Sequence, residues 1–380
     1  MEKRMNITVA GAGIGGLAAA TALARLGHSV TVAEQAPAIT EVGAGIQISP
    51  NGAAVLRALG LEQALENAAI RADAVRLIDG PTGREVLTLN LRDHAPDLGW
   101  YFIHRAALID LLLNAAKAAG VTVETGRSID PPPAGRALAD DDLLIGADGL
   151  KSRLRARVDE ASKPFFTRQV AWRALVPGAP DPVVEVHMGP GRHLVTYPLQ
   201  GGLRNIVAVE ERTAWAEEGW SHEDHPANLR GAFQSFAEPV RRWLDQVDTV
   251  HLWGLFRHRV ADRWYSGQQV VLGDAAHPTL PFLAQGANLA LEDAWALADH
   301  VAAAPLPQAL AAYQAERKPR AIRVTEAATA NARNYHLSFP PLRFAAHTAL
   351  RLAGALAPAQ PLKRFDWLYR HDVTALRRGD

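Results

Sequence analysis

The chain has 380 residues, 48% of them hydrophobic, with 40 basic residues balanced by 40 acidic ones and no cysteine. That length buries a sizeable core and leaves room for two or three domains, or one large domain with a second lobe. Zero net charge announces no face for nucleic acid, and the missing thiols exclude disulfides, iron–sulfur clusters, thiolate metal sites and thiol catalysis.

The first predicted element is a short apolar strand, Ile7 to Ala10, which drops into Gly11-Ala12-Gly13-Ile14-Gly15-Gly16. A helical stretch, Leu17 to Leu26, and a second apolar run, His28 to Ala33 ending in Glu34, follow. Strand, glycine turn, helix, strand and acid in this order suit a dinucleotide. Gly11 permits the tight turn, Gly13 lets the backbone approach a pyrophosphate, and Gly16 lets helix and strand pack closely. The helix N-terminus offers free N–H groups to phosphates, and Glu34 offers acceptors to ribose hydroxyls.

Thr40 to Pro50 reads as a glycine-rich loop, and Asn51 as the cap of a helix from Gly52 to Leu59. Val75 to Leu91 alternates around turn residues and predicts a β-hairpin. Arg105 to Ala119 has helical spacing, Val121 to Glu124 is strand-like, Asp130 to Asp142 is proline-rich loop, and Leu143 to Ile145 is a buried strand. Three runs, Val183 to Met188, Leu194 to Leu199 and Asn205 to Glu210, predict an antiparallel meander. His187 alternates with apolar neighbours and is expected to face solvent. Ala227 to Trp243 reads as one helix and Val270 to Leu272 as a buried strand. Long helices are expected from Gly286 to Ala303 and from Pro307 to about Ala330. The last segment, Pro341 to Ala357, carries Arg343, His347 and Arg351 four residues apart, and is expected to fold back on the body, with a membrane-surface role as the alternative. The histidines show no ligand spacing, so no metal is expected. No signal peptide or membrane span is read, which points to a cytoplasmic protein.

Two further strand ends carry an acid beside glycine, Asp148-Gly149 and Gly273-Asp274. Ligands bind outside the carboxyl ends of parallel strands, so three such ends suggest one extended cofactor. With the glycine turn, Gly43-Ala44-Gly45-Ile46-Gln47, His104-Arg105, Gly146-Ala147-Asp148-Gly149, Gly273-Asp274-Ala275-Ala276-His277-Pro278, Ala284-Gln285-Gly286-Ala287-Asn288, Leu291-Glu292-Asp293-Ala294 and Asp366-Trp367-Leu368-Tyr369, the chain resembles the flavin-dependent aromatic hydroxylases related to para-hydroxybenzoate hydroxylase. It looks most like salicylate hydroxylases and 3-hydroxybenzoate 6-hydroxylases.

The resemblance implies an α/β fold: a Rossmann-like FAD-binding domain from 1–74, 98–165 and 261–335, an antiparallel β-sheet substrate domain from 75–97 and 166–260, and a C-terminal helical segment, 336–380. The stretch between Glu124 and Leu143 is short for this family and suggests a trimmed sheet edge. FAD would be held by Gly11, Gly13, Gly15, Gly16, Glu34, Gln47, Arg105, Asp148, Asp274, Gly286, Ala287 and Asn288. NADH or NADPH would reduce it, and a flavin hydroperoxide formed with dioxygen would hydroxylate a small phenolic or N-heteroaromatic acid. The expected partners are that aromatic, dioxygen and the nicotinamide, with no nucleic acid, a membrane only as the alternative, and a monomer or homodimer.

The chemistry that the resemblance implies calls for a base, and the predicted meander offers one. His193 and Tyr197 lie four apart on a predicted strand and so share a face. His193 would take a phenolic proton and Tyr197 would orient the ring. Gln47, Pro281 and Phe282 would line the substrate pocket. Arg192 and Arg204 are candidate partners for a substrate carboxylate, and Trp172-Arg173 is wall or core. The alternatives are a related enzyme acting on a polyketide, quinone-type or purine-like ring, a non-catalytic flavin-binding sensor, and a membrane-associated hydroxylase.

Overall fold

The structure is a computed structural model describing residues 4–39, 45–136, 142–159, 164–178, 181–213 and 222–375. Gly43-Ala44 of the expected loop and residues 137–141 of the proline-rich stretch lie outside the described residues.

The first sheet has six strands in the order β16 (Tyr265–Ser266), β17 (Gln269–Val271), β9 (Leu143–Gly146), β1 (Asn6–Ala10), β2 (Ser29–Glu34) and β8 (Thr122–Thr125). All but β16 run parallel. A parallel sheet is covered on both faces, which is why β1 and β9 read as continuous apolar runs rather than alternating ones. The three acid-and-glycine strand ends belong to β1, β9 and β17, which are adjacent, so their carboxyl ends open together.

The helices in chain order are α1 (Ile14–Arg25), α2 (Pro50–Ala58), α3 (Glu62–Ala68), α4 (Leu91–His94), α5 (Arg105–Ala118), α6 (Arg155–Val158), α7 (Pro226–Ala232), α8 (Glu238–Asp245), α9 (Gly286–Ala303), α10 (Leu306–Tyr335), α11 (Pro340–Leu356), α12 (Gln360–Lys363) and α13 (Asp366–Tyr369). Alanine-rich α1 packs on both α5 and α9, and the main core forms between these helices and the sheet.

The second sheet has eight strands in the order β14 (His222–Asp224), β15 (Val250–Arg257), β10 (Phe165–Pro177), β13 (Leu203–Glu211), β12 (Arg192–Leu199), β11 (Val183–Gly189), β5 (Ala74–Asp79) and β6 (Arg84–Asn90). The expected meander is β11 to β13 and the expected hairpin is β5 with β6. The hairpin joins the meander through a parallel β11–β5 pair, the one parallel ladder of this sheet among the described residues. A small sheet of β3 (Gly45–Ile48), β7 (Tyr101–His104) and β4 (Ile70–Arg71) bridges the two.

Several expectations need correction. Gly45 to Ile48 is strand rather than loop, because β7 offers it an antiparallel partner. Asn51 does not cap α2. The helix begins at Pro50, whose fixed φ suits a first position, and Asn51 turns its amide inward to Gln285 and Glu292. The single helix from Ala227 to Trp243 is two, α7 and α8. Between them Phe233 and Phe236 pack into the core beside Trp172, the Ala237 N–H bonds the Gly80 carbonyl at 2.7 Å, and Pro239 restarts the helix. His187 is buried rather than exposed, because the indole of Trp243 on α8 covers it and Glu185 supplies a partner. Helix α10 runs on to Tyr335, beyond the expected Ala330.

Helix α11 folds back on the hairpin, but with its charged stripe inward. Arg343 pairs with Asp79 at 2.5 Å, His347 is buried beside the same carboxylate, and Arg351 donates to the Glu85 carbonyl. Phe344 and Leu356 face outward, 72% and 82% exposed. No described helix is long and apolar enough to cross a membrane.

Candidate active site

A cavity of 590 Å³ opens at the carboxyl ends of β1, β9 and β17 and runs between the two large sheets. Its parallel-sheet end is the glycine turn. Gly11 has φ +107°, and a Cβ there would lie 2.4 Å from the Ala147 carbonyl oxygen, so β1 and β9 can close only around glycine. Gly16 abuts the Gly11 carbonyl and Gly15 abuts Leu272 and Ala290. Gly13 is different: a Cβ there would meet nothing within 4 Å. Its missing side chain serves the empty space of the cavity rather than the packing of the protein. The first N–H groups of α1 point out of the helix without intrahelical partners, as a phosphate site requires.

Glu34 stands beside this turn. One carboxylate oxygen accepts the Ala12 N–H at 2.9 Å and the other the Ala36 N–H at 2.9 Å, so the carboxylate is fixed at the end of β2 with lone pairs to spare. Further in, Asp274 follows β17 and faces Arg105, the first residue of α5, across the cavity. The surrounding protein pushes the Asp274 carboxyl up, while His277 and Arg105 pull it down. Gly286 and Ala287 bring the N-terminus of the 18-residue helix α9 to the same space, where its partial positive charge favours an electron-rich ring.

The opposite wall is the second sheet. His193 and Tyr197 both line the cavity from β12, as the two-residue period requires. Burial pushes the His193 imidazole well below its usual value and the Tyr197 phenol up. Val209, Trp253, Pro281 and Phe282 give this end an apolar lining, and the Phe282 ring meets His193 edge-on at 5.2 Å. Arg173 of β10 supplies a cation to this wall, stacked over Trp253 with 4.6 Å between guanidinium carbon and ring centroid. Gln47 lines the junction, its side-chain oxygen held by the Trp100 indole N–H at 3.0 Å, and Tyr369 of α13 backs Trp100 with 4.7 Å between rings.

A buried ionic cluster holds α9 in place. Arg317 of α10 donates to Glu292 at 2.6 Å and to Asp293 at 2.9 Å, and Arg320 also binds Glu292. Asp293 accepts in addition from the Gly273 N–H at 3.0 Å and from His277 at 2.5 Å, which fixes the turn carrying Asp274. These cations hold the Glu292 and Asp293 carboxyls at about 2.

The cavity thus gathers Gly13, Gly15, Gly16, Gln47, Arg105, His193, Tyr197, Asp274, Pro281, Phe282, Gly286 and Ala287. Gly11, Glu34, Asp148 and Asn288 lie beside it. Asp148 spends one carboxylate oxygen on the Arg153 N–H at 2.8 Å, and Asn288 ties α9 to the Ser49 N–H and the Gln47 carbonyl. Arg192 and Arg204 lie outside the lining; Arg192 binds Glu210, and Arg204 donates to Thr196 and stacks on Trp243. The arginine that lines this wall is Arg173 instead, one of the two residues expected as wall or core. His336, Tyr335 and Glu211, which surround His193 from behind, had no local sequence signal. They are delivered by the extra turn of α10 and the end of β13.

The set fits an extended flavin dinucleotide: an open glycine turn at a helix start, an acceptor carboxylate at mid-cavity and a second helix N-terminus beyond. A family model for an FAD-binding domain matches residues 4–131 and 139–328. The chain is 37% identical to a 3-amino-4-hydroxybenzoate 2-monooxygenase of Streptomyces cremeus, over 90% of each chain. It is 32% identical to 3-hydroxybenzoate 6-hydroxylase 1 of Aquipseudomonas alcaligenes, over 96% of this chain and 97% of the other. Among solved structures, Klebsiella pneumoniae HpxO with FAD and uric acid aligns with a TM-score of 0.79 at 25% identity, covering 91% of this chain and 92% of that one. A salicylate hydroxylase substrate complex shares the fold at a TM-score of 0.81 and 23% identity, covering 98% and 97%. The chain belongs to the FAD-binding-domain family and is one of its flavin-dependent aromatic hydroxylases.

Proposed function

We propose that the protein uses NADH or NADPH and dioxygen to hydroxylate a small aromatic acid that already carries a ring hydroxyl, with His193 as general base and Arg173 as the partner of the substrate carboxylate. The carrying observation is that His193 and Tyr197 face the same cavity as Gly13, Asp274 and the start of α9. The relatives named for hydroxybenzoates support the substrate class.

Bound FAD would pass the reducing equivalents of the nicotinamide to dioxygen and so make one oxygen atom available to the ring. Gly13 and the α1 N-terminus would receive its phosphates, Asp274 its sugar-like chain, and the α9 N-terminus its electron-rich ring edge. The protein's own part is to place and ionise the substrate. Val209, Trp253 and Phe282 hold the ring and exclude water, and Tyr197 fixes its orientation from four residues further along the same face. Removing the hydroxyl proton pushes electrons into the ring and makes the carbons ortho and para to the oxygen nucleophilic. His193 is kept neutral by burial, so its lone pair is available at neutral pH.

The test is turnover of 3-hydroxybenzoate and 3-amino-4-hydroxybenzoate under ¹⁸O₂ with mass analysis of the products. One labelled oxygen is expected on the ring of at least one compound. NAD(P)H consumption that yields only hydrogen peroxide with every phenolic acid overturns it.

A further inference from the structure

His193 is linked through the back of the cavity wall to solvent. Its Nδ1 lies 2.6 Å from Nε2 of His336, which follows α10, and Nδ1 of His336 lies 2.7 Å from a carboxylate oxygen of Glu211 at the end of β13. His193 is 1% exposed, whereas the Glu211 side chain is 52% exposed. Two hydrogen bonds therefore span the distance from the buried cavity wall to bulk water.

The partners fix the tautomers. A carboxylate only accepts, so His336 donates from Nδ1. The other nitrogen of a neutral imidazole is then an acceptor, and His336 Nε2 receives the Nδ1–H of His193. That leaves Nε2 of His193 with its lone pair free for a ligand in the cavity. The orientation a general base needs is set from the surface inward.

We propose that His193, His336 and Glu211 form a proton relay that carries the substrate's ring-hydroxyl proton from the cavity to solvent. It rests on the functional reading above, with His193 touching the substrate and His336 and Glu211 acting through it as positioning residues. As the hydroxyl O–H bond breaks, its proton passes to Nε2 of His193. The Nδ1 proton of His193 passes to Nε2 of His336, and the Nδ1 proton of His336 passes to Glu211, which releases it to water. No electrons change hands. The substrate is left as phenolate, one proton leaves, and both imidazoles end neutral in the opposite tautomer.

Burial gives the relay its purpose. It holds both imidazoles below the usual 6.5, so a proton parked on His193 would be a cation in an apolar wall. The other charged groups facing His336 are Arg192 of β12, which opposes a resident cation there, and Glu211, which favours one. Arg192 and Arg212 share Glu210. Tyr335, with its ring 5.3 Å from His193, is pushed up to about 12 by burial and so stays protonated near neutral pH.

The experiment mixes holoenzyme rapidly with 4-hydroxy-3-nitrobenzoate in weak buffer containing a pH indicator, at a pH where the free probe is protonated. It records the nitrophenolate band and the proton reaching solvent, with no turnover required. Wild type is expected to ionise the bound probe and release about one proton. His336→Phe and Glu211→Gln are expected to slow release by about tenfold or more while probe affinity changes by less than about threefold, and Glu211→Asp or added imidazole to restore part of the rate. Glu211 is exposed, so its variant keeps the test independent of folding. Unchanged release rates in both variants overturn the relay and leave His193 as base. A wild-type enzyme that binds the probe without ionising it overturns the base assignment and the relay with it.

Discussion

Asp293 of α9 and Arg317 of α10 form a fully buried ion pair, with 2.9 Å between Nε and Oδ1. Through the same carboxylate the pair reaches the Gly273 N–H and His277. The helix that presents its N-terminus to the cavity and the turn that presents Asp274 are thus set by one buried charge. Arg317→Met leaves Asp293 without its guanidinium while Glu292 keeps Arg320. Breaking one side of a buried pair costs about 3–5 kcal/mol, and that loss is expected in the urea midpoint. A loss below about 1 kcal/mol would show that the cluster is no anchor.

The buried acids and histidines give the fold an acid-sensitive stability. Glu292 and Asp293 are held at about 2, below their ordinary 4.5 and 3.8, so their contribution is present above about 4.5 and lost as pH falls toward 2. His193 and His336 are held below 6.5, so below that pH the unfolded chain takes up protons that the folded one refuses. Both effects have the same sign. The melting temperature is expected to be flat above about pH 7, to decline from about 6.5, and to fall more steeply below about 4.5. A melting temperature that rises between pH 7 and 5 would contradict this.

Gly11 and Gly13 separate the demands of folding from those of binding. Gly11→Ala puts a methyl against the Ala147 carbonyl at positive φ and is expected to destabilise the protein by about 1–3 kcal/mol. Gly13→Ala meets no protein atom and has φ −75°, which any residue adopts. It is expected to leave the apoprotein's melting temperature within about 2 °C while weakening FAD by about tenfold or more, read by flavin fluorescence. Equal FAD affinity in the Gly13 variant would remove the glycine turn from the cofactor site.

His193 and Arg173 are expected to divide kcat from KM. His193→Ala lowers kcat by about 10²–10⁴ with FAD retained, since it removes the base from a bound substrate. Arg173→Met mainly raises KM for carboxylated rings, by about 10–100-fold, and spares the matching uncharged phenol. Arg204→Met, on the outer side of the sheet, leaves both constants within about twofold. An Arg173 variant with unchanged KM would show that the carboxylate binds elsewhere.

The glycine turn, the parallel strand ends and the meander were legible because each depends on local pattern: consecutive apolar residues for a doubly covered strand, alternation for a half-covered one, glycine where backbones touch. The shared face of His193 and Tyr197 follows from the strand period alone. His187 obeys the same alternation, yet it is buried, because the helix bearing Trp243 covers the second face of the sheet and no local pattern announces that cover. The choice among Arg173, Arg192 and Arg204 depends on which side of a two-faced sheet meets the cavity, a tertiary fact. His336 is the extreme case, lying 143 residues from His193 and reaching it only because α10 continues past its last clear apolar repeat.

The most direct measurement is the visible spectrum of the purified protein, followed by NADH and NADPH oxidation with a panel of hydroxybenzoates, an aminohydroxybenzoate and salicylate. A yellow protein with extractable FAD is expected, with NAD(P)H oxidation stimulated about tenfold or more by at least one acid of the panel. Colourless protein that takes up no added FAD, or bound FAD with NAD(P)H oxidation that no aromatic acid stimulates, would contradict the assignment.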